Sequence, residues 1–192
     1  LKQFKPRNKI HTKRRVGLDQ NKWYGLYVGR GGYWTKGLDR VVEVSKNIHK
    51  LDKKFRLIVI GPDKDKIGNL MNKDFIIFIP ESSREVLPHY YNSADIFFNL
   101  SRYEGGDPTL ATGEAMASGC LIICSEDARQ EIIKDGKNGL VINETYGGGA
   151  KRILSILNNR RKLDDITKRT IKTIKNFSLK IFGKKYLKSL LN

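Results

Sequence analysis

The stretch from Asp95 to Gly119, DIFFNLSRYEGGDPTLATGEAMASG, combines a strand, a loop and a helix in one unit. Its first six residues are mostly apolar, as expected for a buried strand. Asp107 followed by Pro108 marks a helix start, because aspartate caps the amino end of a helix and proline fits its first turn. Gly119 marks the end of that helix. The sequence therefore predicts a strand, a glycine-containing loop and a helix over 108–118.

The same alternation of strand and helix extends over most of the chain. The candidate strands are short, apolar and rich in β-branched or aromatic residues, and lie at 24–29, 55–60, 74–79, 95–100, 120–124 and 139–142. The candidate helices lie at 36–50, 64–72, 82–93, 108–118, 127–135, 151–158, 161–176 and 178–191. Continuous apolar strands that alternate with helices are typical of parallel sheets covered on both faces. The pattern predicts an α/β fold, a Rossmann-like doubly wound parallel sheet of about six strands followed by C-terminal helices.

A glycine-rich loop follows the first predicted strand. Residues 28–37, VGRGGYWTKG, carry Arg30 and Lys36 at opposite ends of the loop, so both side chains can reach one anion above the sheet. A guanidinium offers two parallel donors and an ammonium a point charge, a pair that suits a diphosphate. The loop approximates the G-x-G-x-x-G fingerprint, but its sixth position is Trp34. A nicotinamide-dependent oxidoreductase is therefore disfavoured, and a glycine loop with two solvated cations is the structural alternative.

The helix predicted over 108–118 carries one carboxylate, Glu114, among small and apolar residues. The amino end of a helix presents unpaired amides and is suited to binding an anion. Gly105 and Gly106 leave the approach to that end free of side chains. Glu114 either accepts hydrogen bonds from a ligand such as a sugar 2′,3′-diol or is exposed on one face of the helix.

The net charge of +17 is concentrated at the two ends of the chain. Residues 1–15 carry seven Lys/Arg and no acidic residue, and residues 151–192 carry thirteen Lys/Arg against two aspartates. Basic ends of this kind suit an anionic membrane surface, nucleic acid or a solvated surface without a partner. No stretch approaches the roughly 20 consecutive apolar residues that span a bilayer.

The two cysteines lie four residues apart in one predicted strand. Cys120 and Cys124 would be about 13 Å apart along that strand, beyond the reach of a disulfide. The sequence predicts that both are reduced core residues. A cytoplasmic location is the natural expectation for such a chain.

Five motifs occur in order along the chain: VGR…KGL at 28–38, IGP at 60–62, SRYEG at 101–105, EAMASG at 114–119 and EIIKDGKNGLV at 131–141. In this order they resemble the C-terminal domain of glycosyltransferase family 4. That family has the GT-B fold, in which two Rossmann-like domains face each other and the second holds most of the donor. The resemblance covers roughly residues 24–145. The first six residues, LKQFKP, resemble the end of the linker between the two domains.

The resemblance implies three parts of the chain. Residues 1–20 would be a basic remnant of the interdomain linker, and residues 21–150 a Rossmann-like nucleotide-sugar-binding domain. Residues 151–192 would form helices that pack back toward an N-terminal domain outside this chain. The chain would then be the donor-binding half of a larger enzyme and nearly inactive alone.

The resemblance also implies roles for individual residues. Arg30 and Lys36 would hold the donor diphosphate, Glu104 would face the donor sugar near its reacting carbon, and Glu114 would bind the ribose hydroxyls. The other binding residues implied are Gly31 in the first loop, Gly61, Pro62, Ile79 and Pro80 around the base, and Gly105, Gly106, Asp107, Pro108 and Thr109 near the sugar or phosphate.

The spacing of the two glutamates departs from the family pattern. The family usually separates them by seven residues, whereas nine residues separate Glu104 from Glu114. A longer loop at Gly106, Asp107 and Pro108 would absorb the difference. Glu114 keeps its implied role, while Asp107 becomes a rival of Glu104 for the position that faces the sugar.

The implied reaction is transfer of a sugar, of the hexosyltransferase type, from a nucleoside-diphosphate sugar to an acceptor hydroxyl, with retention of anomeric configuration. It would serve glycan or glycolipid synthesis, such as that of polysaccharide or lipopolysaccharide. The implied partners are the nucleotide-sugar donor, a glycan or lipid-linked acceptor and the N-terminal domain, with a peripheral contact to the inner face of the membrane.

The resemblance implies no cofactor and no metal, because cations on the protein would stabilise the diphosphate. The Asp-x-Asp pattern at 63–65 is interpreted as a solvated turn. Two other functions stay open from the residues alone. The basic termini suit a nucleic-acid-binding α/β domain, although no nucleic acid is expected, and the same loops suit a non-catalytic sugar-nucleotide-binding domain.

Overall fold

The computed structural model of the chain describes residues 3–29, 33–61, 68, 73–104, 108–128, 131–143 and 146–177. The strands are β1 (Trp23–Val28), β2 (Phe55–Ile60), β3 (Ile76–Ile79), β4 (Ile96–Asn99), β5 (Leu121–Ser125) and β6 (Leu140–Ile142). The helices are α1 (Lys9–Arg15), α2 (Leu38–Leu51), α3 (Leu87–Ser93), α4 (Leu110–Ser118), α5 (Tyr146–Leu157) and α6 (Arg160–Lys175). Each of the six predicted strands is present, with its ends within two residues of the prediction.

The six strands form one parallel sheet in the order β3-β2-β1-β4-β5-β6. β1 lies at the centre and pairs with β2 on one side and β4 on the other. The chain builds outward from β1 to β3 and then crosses back to continue from β4 to β6, so the strand order reverses between β1 and β4. In open α/β sheets, ligands bind beyond the carboxyl ends of the strands at this switch point.

Successive residues of the buried strands point to opposite faces of the sheet, and each face is covered by helices. Ile96 and Phe98 of β4 join the core beneath α2 and α5, while Phe97 joins the core beneath α3 and α4. Helix α6 contributes to both cores, through Leu163 on the first and Ile174 on the second. The prediction of a doubly wound sheet is confirmed, and its strands are apolar throughout because both faces are buried.

The predicted helix at 127–135 is wrong for the residues described there. Residues 126–128 and 131–134 form a bend, turns and irregular chain, and Asp135 forms an isolated bridge with Gly139. Local side-chain bonds replace the helix ladder: the Asn138 side chain accepts from the Lys134 amide and donates to the Ile132 carbonyl. The predicted helix at 178–191 lies outside the described residues, as does that at 64–72 apart from Gly68.

Helix α1 was not predicted, because it lies in the basic segment interpreted as a linker remnant. Lys9 Nζ donates to Asp95 Oδ1 at 2.7 Å, and Lys13 Nζ lies 3.7 Å from Asp95 Oδ2. Asp95 also accepts from the Tyr24 amide of β1 at 2.9 Å. Burial lowers the pKa of Lys13, and the charge of Asp95 partly offsets this effect. Residues 9–15 are thus fixed to the sheet, while the proposed boundaries of the three parts remain predictions.

Both cysteines are free and buried, as the sequence predicts. The Cys120 sulfhydryl donates to the Tyr91 carbonyl at 3.1 Å, and burial raises the pKa of the thiol to about 12. Among the helices that the structure describes, none has the length and apolarity needed to cross a membrane.

Candidate functional site

A cavity of about 460 Å³ lies at the switch point of the sheet. It is lined by the end of β1 (27–29), the end of β4 (97–99), Lys36, Glu104 and residues 108–112 around the start of α4. Four of the predicted site residues, Lys36, Glu104, Pro108 and Thr109, therefore meet around one space. The cavity occupies the place where parallel α/β sheets bind their ligands.

Lys36 and Glu104 form an ion pair at this cavity. Lys36 Nζ lies 3.1 Å from Glu104 Oε2, and the two side chains are 41% and 12% exposed. They come from separate loops, Lys36 from the segment between β1 and α2 and Glu104 from the segment after β4. The cavity thus contains a cation that an anionic ligand can reach, beside a carboxylate that is largely shielded from water.

Gly37 lets the Lys36 loop approach the end of β4. Gly37 has a φ of 67°, in the left-handed region that favours glycine. A Cβ at this position would lie 2.0 Å from the Leu100 carbonyl oxygen and 3.1 Å from the Ser101 nitrogen. These are backbone atoms that cannot move aside as a side chain can. Position 37 therefore requires a glycine, and this glycine allows the neighbouring Lys36 to lie at the end of β4.

Helix α4 begins at Leu110 with Thr109 as its N-cap, and this corrects the predicted cap at Asp107. The Thr109 hydroxyl accepts from the Thr112 amide and donates to the Thr112 hydroxyl, which also accepts from the Asn99 side chain. Proline at 108 therefore precedes the cap instead of occupying the first turn. The predicted end at Gly119 is confirmed, with a φ of 85°. The amino end of α4 faces the cavity through residues 108–112.

Tyr27 is a cavity residue that the sequence did not single out. Its ring is 3% exposed, and its hydroxyl has no hydrogen-bond partner among the described residues. Burial, followed by the negative charges of Glu104 and Asp39, raises the pKa of Tyr27, so its hydroxyl is neutral. In the sequence, Tyr27 is one of several apolar residues of a predicted strand and so looks like a core residue. Its position just before the glycine loop was the sequence feature that could have indicated a place at the cavity.

Glu114 lies in the second turn of α4 and does not line the cavity. Burial raises the pKa of Glu114, while Tyr91 and the positive charge of Arg84 partly offset this effect. The Tyr91 hydroxyl is near enough to influence the carboxylate, but the two do not meet hydrogen-bond geometry. The side chain is thus partly withdrawn from water, contrary to the alternative of a freely exposed helix face.

The residues predicted around the base lie at the ends of β2 and β3, beside the cavity. The Gly61 amide donates to the Ile79 carbonyl at 3.1 Å, and Gly61 has a φ of 93°. Pro80 follows directly and is exposed. None of these three lines the cavity. The remaining predicted site residues lie outside the described residues: Arg30, Gly31, Pro62, Gly105, Gly106 and Asp107.

A second cavity, of about 480 Å³, lies at the amino edge of the sheet between α1 and α6. Its charged groups bind one another. Lys9 and Lys13 contact Asp95, and Arg160 pairs with Asp164 at 3.2 Å. The two lysine contacts attach α1 to Asp95, and the third pair lies within α6, so these charged groups are engaged with one another. In the parts of the chain that the structure describes, no group of three His, Cys, Asp or Glu is placed to hold a metal ion.

The fold matches a solved structure of the same class. The C-terminal domain of a glycosyl transferase group 1 family protein (LpcC) from Francisella tularensis superposes with a TM-score of 0.76 at 23% identity. The match covers 91% of this chain and 95% of that domain. The predicted fold, a C-terminal domain of the GT-B type, is confirmed.

Sequence comparison identifies the family. The family model described as "Glycosyl transferases group 1" matches residues 8–173, and the chain belongs to this family. The chain is 30% identical over 181 residues to the uncharacterized glycosyltransferase MJ1069 of Methanocaldococcus jannaschii, covering 88% of this chain and 45% of that protein. It is 25% identical over 179 residues to the alpha-monoglucosyldiacylglycerol synthase of Acholeplasma laidlawii, covering 90% of this chain and 44% of that protein. The chain spans less than half the length of both relatives.

Proposed function

We propose that this chain is the donor-binding half of a retaining glycosyltransferase of family 4 that transfers a hexose from a nucleoside-diphosphate sugar to an acceptor hydroxyl. The observation that carries the proposal is the Lys36–Glu104 pair, 3.1 Å apart at the switch-point cavity. A cation, a shielded carboxylate and a helix amino end converge on one space there. Membership in the group 1 glycosyl transferases supports this interpretation of the cavity.

The proposed chemistry depends on stabilising a departing diphosphate. Negative charge grows on the diphosphate as the bond to the sugar breaks, and fixed positive groups lower the barrier because they need no rearrangement. Lys36 and the amides at the start of α4 supply such groups, and Arg30 is proposed to add a bidentate contact. With this cationic cradle, we propose that the reaction needs no metal ion and no cofactor.

Glu104 is proposed to face the donor sugar. Its side chain is 12% exposed at the cavity. A carboxylate accepts hydrogen bonds from sugar hydroxyls. Asp107 stays a rival for the sugar-facing role. Glu114 is proposed to reach the ribose from α4.

The donor site is tested by thermal unfolding of the chain with millimolar UDP, GDP, ADP, NAD or a short DNA duplex. A ligand at 100 times its dissociation constant stabilises a protein by about 2.7 kcal/mol. One nucleoside diphosphate is expected to raise the melting temperature of the wild type, and not that of Arg30→Ala or Glu114→Ala. Stabilisation by DNA alone would support a nucleic-acid-binding domain, and stabilisation by NAD alone an oxidoreductase.

Testing the proposed sugar transfer requires a polypeptide that contains this chain together with the proposed N-terminal domain, called the longer polypeptide below. The acceptor is proposed to be a glycan or lipid-linked hydroxyl held by an N-terminal domain, so this chain alone is expected to transfer no sugar. Incubation of the longer polypeptide with the donor identified above and an acceptor, followed by NMR of the product, measures the anomeric configuration. Inversion would contradict the retaining mechanism. A polypeptide that binds the donor but transfers no sugar would support a non-catalytic binding domain.

A peripheral contact with the inner face of the membrane is proposed for α6. This helix buries Leu163, Ile166 and Ile174 against the domain. Its exposed side carries six cations, of which Arg169 also donates to the Asp165 carbonyl at 3.2 Å: Arg161, Lys162, Lys168, Arg169, Lys172 and Lys175. Each basic residue near an anionic lipid surface contributes about 1 kcal/mol, and salt screens the attraction. The lipid in the name of the Acholeplasma relative is consistent with this location.

Vesicle sedimentation measures this contact. The chain is expected to sediment with phosphatidylserine-containing vesicles at low salt, to be released when salt is raised, and to stay in solution with phosphatidylcholine alone. The triple change of Lys168, Lys172 and Lys175 to glutamate is expected to abolish sedimentation. The proposal would be contradicted if the wild-type chain did not sediment with anionic vesicles, or if the triple variant sedimented with them as the wild type does.

A further inference from the structure

Arg102 connects the two loops that form the cavity, the loop at 29–37 after β1 and the loop at 100–109 after β4. Its main-chain amide donates to the Thr35 carbonyl at 2.9 Å, and its guanidinium donates to the Trp34 carbonyl. The guanidinium also binds both carboxylate oxygens of Asp39, at 2.9 and 2.7 Å. Arg102 therefore holds the first loop on both sides of Lys36.

Trp34 covers the Arg102 guanidinium from one face. The guanidinium carbon lies 4.1 Å from the centre of the indole ring. Arg102 is only 16% exposed, although Trp34 is itself 60% exposed. A cation stacked on an indole is attracted to the ring face, and its planar fork is held in one orientation. Burial raises the pKa of Asp39, but the bonds and charge of Arg102 outweigh this effect and lower it overall.

Lys36 lies between two segments that Arg102 anchors. The guanidinium binds the Trp34 carbonyl before Lys36 and the Asp39 carboxylate after it, and the main-chain amide binds the Thr35 carbonyl. A lysine stem is flexible, and ordering it when a ligand binds costs free energy. Anchored flanking residues remove part of that cost before the ligand arrives, because the base of the side chain is already in place.

We propose that Arg102 is a positioning residue that holds the Lys36 loop against the end of β4 in the geometry that binds the diphosphate. Arg102 acts through Lys36 and needs no contact with the ligand. The inference rests on the proposed function, since it takes the ligand of Lys36 to be the donor diphosphate.

The variant Arg102→Lys tests this role because it keeps the positive charge while losing the bidentate fork and the planar stack. Calorimetry compares its affinity for the nucleoside diphosphate that stabilises the wild type with its affinity for the corresponding nucleoside. The diphosphate affinity is expected to fall about three- to tenfold, the range expected when one long side chain must be newly ordered. The nucleoside affinity is expected to stay within about twofold, because the nucleoside does not reach Lys36.

Arg152→Lys is the matched control. Arg152 also binds both oxygens of a carboxylate, through a single nitrogen, with Nη2 2.8 Å from Oδ1 and Oδ2 of Asp135, while its Nη1 donates to the Val141 carbonyl. It lies beside β6 and does not line the cavity. Its replacement is expected to leave both affinities unchanged. A loss of diphosphate affinity in Arg102→Lys that equals the loss of nucleoside affinity would indicate general destabilisation and would overturn the proposal.

Hydrogen exchange without ligand separates this inference from the proposed function. The Gly37 amide donates to the Trp34 carbonyl and the Leu38 amide to the Tyr33 carbonyl. Both amides are expected to exchange at least about tenfold faster in Arg102→Lys, while core amides such as that of Leu57 keep their rates. Unchanged exchange at Gly37 and Leu38, or unchanged diphosphate affinity, overturns the role of Arg102. A wild type that binds no nucleoside diphosphate overturns the proposed function, and the exchange rates then decide whether Arg102 holds the loop.

Discussion

Replacing Lys36 with methionine is expected to weaken nucleoside diphosphate binding by about ten- to a hundredfold. A hydrogen bond to a charged group contributes about 1.5–3 kcal/mol, and each 1.4 kcal/mol corresponds to about a factor of ten in affinity. Methionine retains an apolar, unbranched stem, so the loss reports on the ammonium group. Isothermal titration calorimetry with the nucleoside diphosphate that stabilises the wild type measures the change.

Lys46→Met is the control for this prediction. Lys46 is 42% exposed and pairs with Glu43 at 3.4 Å, while Lys36 is 41% exposed and pairs with Glu104 at 3.1 Å. The two lysines thus have similar exposure and each pairs with a glutamate, but only Lys36 lines the cavity. Wild-type affinity is expected for Lys46→Met. An equal loss of diphosphate affinity in both variants would show that the effect comes from the net charge of the protein. Wild-type affinity in Lys36→Met would show that Lys36 does not bind the diphosphate.

Replacing Gly37 with alanine is expected to lower the free energy of unfolding by about 3 kcal/mol. A Cβ in the left-handed region costs roughly 1–2 kcal/mol, and forcing extra volume into a packed site costs about 1–3 kcal/mol more. The second cost applies because the Cβ would meet the Leu100 carbonyl oxygen at 2.0 Å. Urea unfolding measures the change, with an unaltered slope indicating that the unfolded state is unaffected.

Gly17→Ala separates the two costs. Gly17 has a φ of 71°, close to the 67° of Gly37, but nothing lies within 4 Å of its added Cβ. It is expected to lose only about 1 kcal/mol, the cost of the left-handed conformation. If both alanine variants lose the same stability, the close approach between Gly37 and the end of β4 does not exist in solution.

The strands of the sheet were predictable because each is a short apolar run with helices between, whereas the strand order, and with it the switch point, was not predicted. Periodicity of that kind depends on local sequence alone. The position of Lys36 at the cavity follows from the same reasoning, since the loop after β1 must lie at the carboxyl edge of the sheet. The coming together of Lys36 and Glu104 was implied only by the family resemblance, because their loops are 68 residues apart in the chain.

The failures arise where distant polar contacts decide the structure. Helix α1 depends on Asp95, which accepts from Lys9 across 86 residues, and a run of basic residues gives little sign of it. Instead of the helix expected at 127–135, the described residues there form turns, which the Asn138 side chain stabilises through hydrogen bonds to Lys134 and Ile132. At α4, Asp107 and Pro108 are a stronger capping signal in sequence than Thr109. Thr109 is the cap because its hydroxyl meets Thr112, which is in turn bonded to Asn99.

The attachment of α1 has a mechanical consequence for an enzyme with the proposed N-terminal domain. The Arg7 amide donates to the Asn92 side chain at 2.6 Å, and Lys9 and Lys13 both contact Asp95. Already at Phe4, whose ring contacts Tyr91 edge-on at a centroid distance of 5.6 Å, the chain is attached to this domain and moves with it. If the proposed N-terminal domain moves relative to this one, the hinge lies before Phe4. A force applied there reaches β1 through Asp95, which also binds the Tyr24 amide of that strand.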